Sequence, residues 1–264
     1  MMRTTRETFS PLGTVHLVGA GPGDPGLLTV RALRLLEAAD VIVHDHLVSS
    51  EVLAVARPAA ERVFVGKKGG GFCCPQSKIE TILVRLAREG KKVVRLKGGD
   101  PFIFGRGGEE AEALAEASVP FEIVPGVTSA LAAAAYAGIP LTHRAYSSAV
   151  VFLTGHEDPR KPDATIHWES YAKLGATLCI YMGMKNLEPI TRRLQAGGLL
   201  PDTPVAIVQA ATTGQHRQLL STLGEVALVS ERAGFGAPAI VVIGEVAVLA
   251  DKLSWFETAR AAAR

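Results

Sequence analysis

The sequence predicts an α/β protein with two α/β domains: an N-terminal domain with a mainly parallel five-stranded sheet and a C-terminal domain with a mixed sheet. From residue 14 onward, short runs of β-branched residues alternate with longer segments of helical period, which is typical of parallel strand-helix-strand units. The length of 264 residues suits two modest domains, and Gly138-Ile139-Pro140 interrupts the pattern midway. We therefore expect domains at 1–140 and 141–264, with residues 1–12 as an N-terminal arm.

The first domain is expected to contain five strands, each a short run rich in valine, isoleucine, leucine or phenylalanine. They are predicted at 15–19, 41–45, 62–66, 93–96 and 121–124. Apolar residues recur at helical spacing in other segments, which predicts helices there. These helices are expected at 27–39, 77–89 and 127–137.

The second domain repeats the alternation of strands and helices. Strands are predicted at 149–155, 177–183, 204–209, 215–223 and 239–244. Helices are expected at 187–196 and 226–233. The fourth of these strands follows the third after a Thr-Thr-Gly turn, which predicts a hairpin and therefore a mixed sheet.

Composition excludes several classes of protein. Hydrophobic residues make up 48% and charged residues 20% of the chain, which excludes intrinsic disorder. Lysine and arginine total 28 against 26 acidic residues, so a broad basic face for nucleic acid is not expected. The three cysteines contain no Cys-x-x-Cys pair, and no apolar stretch is long enough for a membrane span. We expect a cytoplasmic protein without a metal site.

A glycine-rich loop, GAGPGDPG at 19–26, follows the first strand and precedes a helix. Its spacing fits the dinucleotide pattern G-x-G-x-x-G, and Asp45 ends the next strand where such domains keep a ribose-binding acid. Two prolines without N–H groups and the negative charge of Asp24 disfavour a pyrophosphate at this helix start. From this loop alone, a dinucleotide site and a merely connecting turn both stay open.

A second loop lies within VVRLKGGDPFIFGRGGEE at 93–110 and carries five glycines and two aromatic residues. It follows the carboxyl end of a predicted strand. Ligands of open α/β sheets bind at that edge, so we expect this loop to form one wall of a ligand site.

At these residues the chain resembles the tetrapyrrole methylase family. The matching segments include VGAGPGDPGLLT (18–29), RLKGGDPFIFGRGGEE (95–110), VPGVTSA (124–130), GIPLTHR (138–144) and APAIVVIGEV (237–246). The resemblance implies the fold of that family, with S-adenosyl-L-methionine (SAM) in the inter-domain cleft of a homodimer. It also implies the reaction: two methyl groups pass from SAM to C-2 and C-7 of uroporphyrinogen III. The products would be precorrin-2, formed through precorrin-1, and S-adenosyl-L-homocysteine (SAH).

The resemblance further implies ten residues that contact SAM. They are Pro22, Gly98, Gly99, Asp100, Ile103, Thr128, Ser129, Met182, Ala211 and Ala239. Asp100 could accept hydrogen bonds from an ammonium or hydroxyl group, and we expect it to have little structural purpose. The alternative to SAM contact is helix capping for Thr128 and Ser129, and packing in the core for Met182. Ala211 departs from relatives with glycine there, which puts any left-handed backbone requirement in doubt.

Catalytic and substrate-binding roles are implied in the same way. Asp45 is the implied proton acceptor and Lys67 the implied proton donor, with a plain ion pair as the alternative. The substrate carries eight carboxylates, so Arg106 and Arg144 are expected to bind it. Glu109 is expected to orient one arginine or to contact pyrrole N–H groups. Arg106 is also counted among the catalytic residues.

Three other functions stay open at this point. Within the family, the chain could methylate a later corrin precursor. From other classes, it could be an NAD-dependent oxidoreductase or a tetrapyrrole carrier without catalytic activity. We expect methyl transfer to be the only activity of this sequence. Neighbouring enzymes would decide whether its product enters the synthesis of sirohaem, cobalamin or haem d1.

Overall fold

A computed structural model describes residues 12–66, 74–161 and 163–256 of the chain. The chain divides into two compact units, the first ending at Thr128 and the second beginning at Ser129. This division lies before the domain boundary expected at residue 140, because helix α5 (Ser129–Tyr136) packs against strands of the second unit.

The sequence predicted a mainly parallel sheet in the first unit, and the observed sheet is parallel throughout. Its strands are β1 (Val15–Gly19), β2 (Val41–His44), β3 (Glu61–Phe64), β4 (Val93–Lys97) and β5 (Phe121–Val124). Their order in the sheet is β3-β2-β4-β1-β5, so β4 and β1 are central. All five carboxyl ends therefore lie at one edge of the sheet.

Among the described residues, four α-helices lie between these strands: α1 (Val30–Ala38), α2 (Ser50–Ala54), α3 (Gln76–Arg88) and α4 (Gly107–Glu116). The helix expected at 27–39 begins later, because Asp24 caps a separate 3-10 turn and Thr29 then caps α1. Helix α4 begins inside the segment that the sequence suggested was a loop. The loop part of that segment therefore ends at Arg106, and the segment's last two glycines open the helix.

Apolar side chains cover both faces of this sheet. Leu36 and Ile42 belong to the cluster under α1 and α2, whereas Leu17, Leu83 and Leu114 belong to the cluster under α3 and α4. Strands of parallel sheets are commonly buried on both faces in this way. All five residues of β4 are buried, although two of them are charged.

The second unit contains the mixed sheet that the sequence predicted. Its strands are β6 (Val150–Thr154), β7 (Thr177–Tyr181), β8 (Pro204–Gln209), β9 (Arg217–Thr222) and β10 (Ala239–Ile243). The order is β6-β7-β10-β8-β9, in which only β6 and β7 are parallel. The predicted hairpin is confirmed, since β8 pairs with β9 in antiparallel register from Pro204–Thr222 to Gln209–Arg217.

Besides α5, the helices of this unit are α6 (Trp168–Tyr171), α7 (Leu187–Ala196), α8 (Val226–Arg232) and α9 (Ala250–Leu253). Its core includes Trp168, Ile180, Ile190 and Val241, all almost completely buried. Among the described residues, no helix combines the length and the apolar character that crossing a membrane requires.

Candidate functional site

Two glycine-rich loops are joined by backbone hydrogen bonds at the carboxyl edge of the first sheet. The Gly21 N–H donates to the Gly99 carbonyl at 3.1 Å, and the Gly99 N–H donates to the Gly21 carbonyl at 2.7 Å. The Ala20 N–H also donates to the Lys97 carbonyl at 2.7 Å. Backbone hydrogen bonds therefore hold the loop that follows β1 against the loop that follows β4.

A third loop, which follows β5, completes this structure through Gly126. A Cβ atom on Gly126 would overlap the carbonyl oxygen of Gly99, and one on Gly19 would overlap the backbone of Gly126. These three glycines let the backbones of three loops touch at one point. We call Gly19, Gly99 and Gly126 the glycine cluster.

Asp100 links two of these loops through its carboxylate. Its Oδ1 accepts a hydrogen bond from the Phe102 N–H at 2.8 Å, and its Oδ2 accepts one from the Gly126 N–H at 3.0 Å. The expectation that Asp100 has little structural purpose is therefore wrong. A carboxylate oxygen can accept more than one hydrogen bond, so this structural role is compatible with binding a ligand as well.

A buried group of charged side chains lies below the same edge, and the sequence did not predict its pairing. Glu110 is completely buried, and its Oε1 accepts hydrogen bonds from Arg95 Nε at 3.0 Å and from Lys97 Nζ at 2.9 Å. One sequence signal could have revealed the group. Arg95 and Lys97 lie two positions apart on a strand that is otherwise apolar and predicted to be buried on both faces. Their side chains therefore point to the same covered face of the sheet.

Asp45 lies at the rim of this buried charge group. Its Oδ2 is 3.6 Å from the Arg95 guanidinium, and its Oδ1 accepts a hydrogen bond from the Leu47 N–H at 3.0 Å. Lys67, the implied proton donor, lies outside the described residues. The described cation beside Asp45 is therefore Arg95, which the sequence suggested only as a weaker candidate for binding the substrate.

Burial lowers the pKa of Lys97, and the neighbouring Arg95 charge lowers it further, while Glu110 partly opposes the shift. At pH values between this lowered pKa and the ordinary value of 10.5, Lys97 is protonated in the unfolded chain but has released its proton in the folded protein. The free energy of unfolding should therefore rise with pH across that window. Urea unfolding of the wild type and of Lys97→Met at several pH values measures this, and the variant should lack the rise.

Lys78→Met is the matched control for this experiment, because Lys78 is an exposed lysine on helix α3. The control should keep the pH dependence of the wild type. A wild type and a Lys97→Met variant with the same pH dependence would contradict the lowered pKa of Lys97.

Arg106 and Glu109 form an exposed bidentate pair at the start of α4. Arg106 Nε donates to Glu109 Oε1 at 2.8 Å and the Arg106 NH2 group donates to Oε2 at 2.6 Å. The paired hydrogen bonds raise the pKa of Arg106 and lower that of Glu109. Of the two roles expected for Glu109, this geometry matches the orienting of an arginine. Ile103, from the same loop, is partly buried.

The remaining implied SAM contacts of the first unit lie on its carboxyl-edge loops. Pro22 and Gly98 are partly buried in the first and second loops, and Thr128 is buried at the end of the third. Ser129 is the first residue of α5, so Thr128 precedes that helix directly. Both the capping role and the ligand role of these two residues remain predictions.

In the second unit, Met182 directly follows β7 and is not packed in the core. Its side chain is 49% exposed and its φ of 54° is left-handed, which is unfavourable for methionine. Ala211 lies between two left-handed residues, Ala210 and Thr212, but is not left-handed itself. Alanine in place of glycine therefore causes no strain at position 211. Ala239 is the first residue of β10.

Arg144 lies on an exposed turn of the second unit between His143 and Ser147, whose backbones pair with each other. No ion pair or hydrogen bond joins the Arg144 side chain to another described residue.

Within the described parts of the chain, no group of three histidine, cysteine or acidic residues could hold a metal ion. Burial raises the pKa of the Cys179 thiol to about 12.

Comparison with known proteins identifies the relatives of this chain. Residues 14–227 match the family model of Tetrapyrrole (Corrin/Porphyrin) Methylases. A siroheme synthase from Azotobacter vinelandii is 51% identical over 93% of this chain and 53% of its own length. One from Neisseria meningitidis serogroup B is 51% identical over 92% of this chain and 50% of its own length. The chain thus spans about half the length of these curated relatives.

Two solved structures resemble the chain over most of their length. A uroporphyrin-III C-methyl transferase from Thermus thermophilus, complexed with S-adenyl homocysteine, is 41% identical, with a TM-score of 0.75 over 89% of this chain and 98% of its own. A cobalt precorrin-4 methyltransferase is 31% identical, with a TM-score of 0.79 over 89% of this chain and 95% of its own. On the family match, the sequence identity and the shared fold, the chain belongs to the tetrapyrrole (corrin/porphyrin) methylase family.

Proposed function

We propose that this chain is a SAM-dependent C-methyltransferase that methylates uroporphyrinogen III at C-2 and C-7, giving precorrin-2 through precorrin-1. Family membership and the likeness to two tetrapyrrole methyltransferases support methyl transfer from SAM to a tetrapyrrole carbon. The observation that carries the proposal is the glycine cluster with Asp100 at the carboxyl edge of the first sheet. It is a close-fitting backbone surface beside a carboxylate, in a chain 41% identical to a protein solved with S-adenyl homocysteine.

The residues of this edge fit the polar part of SAM. The backbone around Gly98 and Gly99 has no side chains to keep a ligand away, and the Asp100 carboxylate can accept hydrogen bonds from an ammonium or a hydroxyl group. Met182, Ala211 and Ala239 are proposed as further SAM contacts on the strength of the family resemblance. The exposure of Met182 and its left-handed backbone support a ligand role, because such strain is concentrated at binding sites.

SAM supplies a methyl group on a positively charged sulfur, which is already a good leaving group. The protein therefore needs mainly to hold the acceptor carbon in line with the methyl group and to keep water away. After the new carbon–carbon bond has formed, the macrocycle must release a proton. The resemblance makes Asp45 the proposed acceptor, and its side chain remains 23% exposed at the carboxyl edge of the sheet, with Oδ2 3.6 Å from the Arg95 guanidinium.

The eight carboxylates of the substrate require cations near the site, although the net charge of the chain is only +2. Arg106 is exposed and held by Glu109, so its guanidinium is oriented before the substrate arrives. Arg144 is exposed as well and is proposed from the resemblance to bind a substrate carboxylate. A few exposed arginines can attract a polyanion without a broad basic surface.

One test separates this function from its alternatives. The protein is incubated anaerobically with SAM and enzymatically made uroporphyrinogen III, and mass spectrometry should find two added methyl groups. Methylation of a later corrin precursor instead would favour the second candidate, which the TM-score of 0.79 with cobalt precorrin-4 methyltransferase supports. No methylated product, together with NAD binding by calorimetry, would overturn the proposal in favour of an oxidoreductase. Tetrapyrrole binding without methyl transfer would leave a carrier.

Arg106→Ala should leave SAH binding intact and lower turnover of uroporphyrinogen III by about 100-fold, because one charged contact to a carboxylate is lost. Calorimetry with SAH and a methyl-transfer assay measure the two effects. Arg160→Ala is the matched control, since Arg160 is also exposed and paired, with Asp158 at 2.7 Å. Normal turnover of Arg106→Ala would remove Arg106 from the site.

We further propose that the protein is a cytoplasmic homodimer. The dimer rests on the family resemblance, and the cytoplasmic location rests on the likeness to a siroheme synthase. Light scattering on the purified protein measures the oligomeric state, and a monomer at micromolar concentration would contradict the dimer.

A further inference from the structure

Two aromatic side chains project from the loop between β4 and α4. Phe102 is 54% exposed and Phe104 is 41% exposed. Phe104 has a φ of 51°, and Arg106, two residues later, has a φ of 58°. A left-handed backbone is an outlier for a bulky residue such as phenylalanine, because its Cβ crowds the following carbonyl group. The loop thus holds an exposed aromatic ring in a strained conformation.

The shape of this loop is fixed by hydrogen bonds on both sides of Phe104. Asp100 Oδ1 accepts from the Phe102 N–H at 2.8 Å, and the Gly107 N–H donates to the Pro101 carbonyl at 3.0 Å. Pro101 itself is buried. A closed loop of this kind can impose the left-handed conformation that Phe104 adopts. Strain that is held in this way is found mainly at active sites and ligand contacts.

The loop also lies beside the residues of the proposed site. It directly follows β4, and its Asp100 carboxylate accepts a hydrogen bond from the Gly126 N–H of the glycine cluster. Leu47, which follows Asp45, is 50% exposed, and a Cβ on Gly98 would contact its side chain. The exposed apolar side chains of Leu47, Phe102 and Phe104 and the cation Arg106 thus belong to loops at the carboxyl edge of the sheet.

We infer that Phe102 and Phe104 form the apolar contact surface for the tetrapyrrole substrate and help to determine its specificity. This inference rests on the proposed function. Four pyrrole rings with a rim of carboxylates present π-rich surface in the middle and charge outside. Aromatic rings pack against pyrrole rings in offset or edge-to-face geometry, while a guanidinium binds a carboxylate. The spacing Phe104-x-Arg106 offers both kinds of contact from one rigid loop.

Phe104→Gly is the main test, because glycine tolerates the left-handed conformation and removes only the ring. We expect the KM for uroporphyrinogen III to rise about 10-fold, as loss of one buried aromatic contact predicts. The Kd for SAH and the Tm should stay close to the wild-type values. Phe104→Asn, which also tolerates this backbone, should give the same result without the added chain flexibility of glycine.

Phe121→Ala is the matched control. Phe121 is 40% exposed, close to the value for Phe104, but it begins β5 and so lies at the opposite edge of the parallel sheet. Its removal should leave the KM for the tetrapyrrole unchanged. A salt series adds a second control: the loss in Arg106→Ala should shrink at high ionic strength, because it comes from charge, whereas the loss in Phe104→Gly should not.

The outcomes distinguish failure of the proposed function from failure of the inference about Phe104. A wild type that transfers no methyl group to a tetrapyrrole overturns the proposed function and this inference together. An active wild type with an unchanged KM in both Phe104 variants overturns the inference alone. A fall in Tm with a parallel loss of SAH binding would assign Phe104 a structural role, and loss of self-association in light scattering would assign it to an interface between copies.

Discussion

Replacing Glu110 with alanine should lower the free energy of unfolding by about 3–5 kcal/mol, because it leaves two buried cations without their shared carboxylate. Glu110 is completely buried, and Arg95 and Lys97 are each only 3% exposed. Neither cation can reach water without disrupting β4, which lies in the middle of the sheet. Urea denaturation, monitored by circular dichroism, measures the effect.

The control for this variant is Glu112→Ala, an exposed glutamate on the same helix. Its effect should stay within about 0.5 kcal/mol, as for most surface substitutions. Lys97→Met combined with Glu110→Gln tests the mechanism further, since removing one cation should recover part of the stability that Glu110→Gln loses. Additive effects of the two changes, or a Glu110→Ala variant as stable as wild type, would contradict the buried charge group.

Gly126→Ala should abolish measurable SAH binding and cost about 1–3 kcal/mol of stability, the usual range for overpacking a tight site. Its Cβ would overlap the Gly99 carbonyl, so one loop must move and the hydrogen bond from the Gly126 N–H to Asp100 is lost. Calorimetry with SAH and thermal unfolding measure the two effects. The larger effect is expected on binding, because the overlap lies at the point where the three loops meet.

Gly108→Ala provides the matched control, because a Cβ on Gly108 meets no atom within 4 Å. This glycine lies in the first turn of α4, where alanine is the better helix former and should stabilise the protein slightly. SAH binding that survives in Gly126→Ala would show that the close contact of the loops is not needed for the cofactor.

Several elements could be predicted from the sequence alone because their signals are local. Helix α7 has the predicted bounds, since its apolar residues recur at helical spacing over ten positions. The β8–β9 hairpin was predicted from one turn between two alternating runs. Helix α4 was predicted only as part of the alternation of strands and helices, without bounds, because two glycines open it and glycine is a poor helix former. Its packing through the buried Leu114 compensates for those glycines.

The candidate site was predictable only in part. The glycine-rich loops and the exposed Arg106 carry their signal in residue type and in likeness to a family. Asp100 was misjudged, because its partner Gly126 lies 26 residues away and no short-range pattern connects them. Glu110 was missed for a similar reason. Acidic residues at a helix start usually face water, and only the packed sheet shows that this one is buried with Lys97.

By itself, the sequence determined the fold class, the parallel and mixed sheets, and the family, because periodicity and motifs depend on neighbouring residues. Only the tertiary structure decided which polar groups pair with one another and which are shielded from water. Asp45, Arg95 and Glu110 come from three separate segments and meet at one edge of a sheet. The physical reason is that burial and charge pairing depend on distance in space, which the order of residues along the chain does not contain.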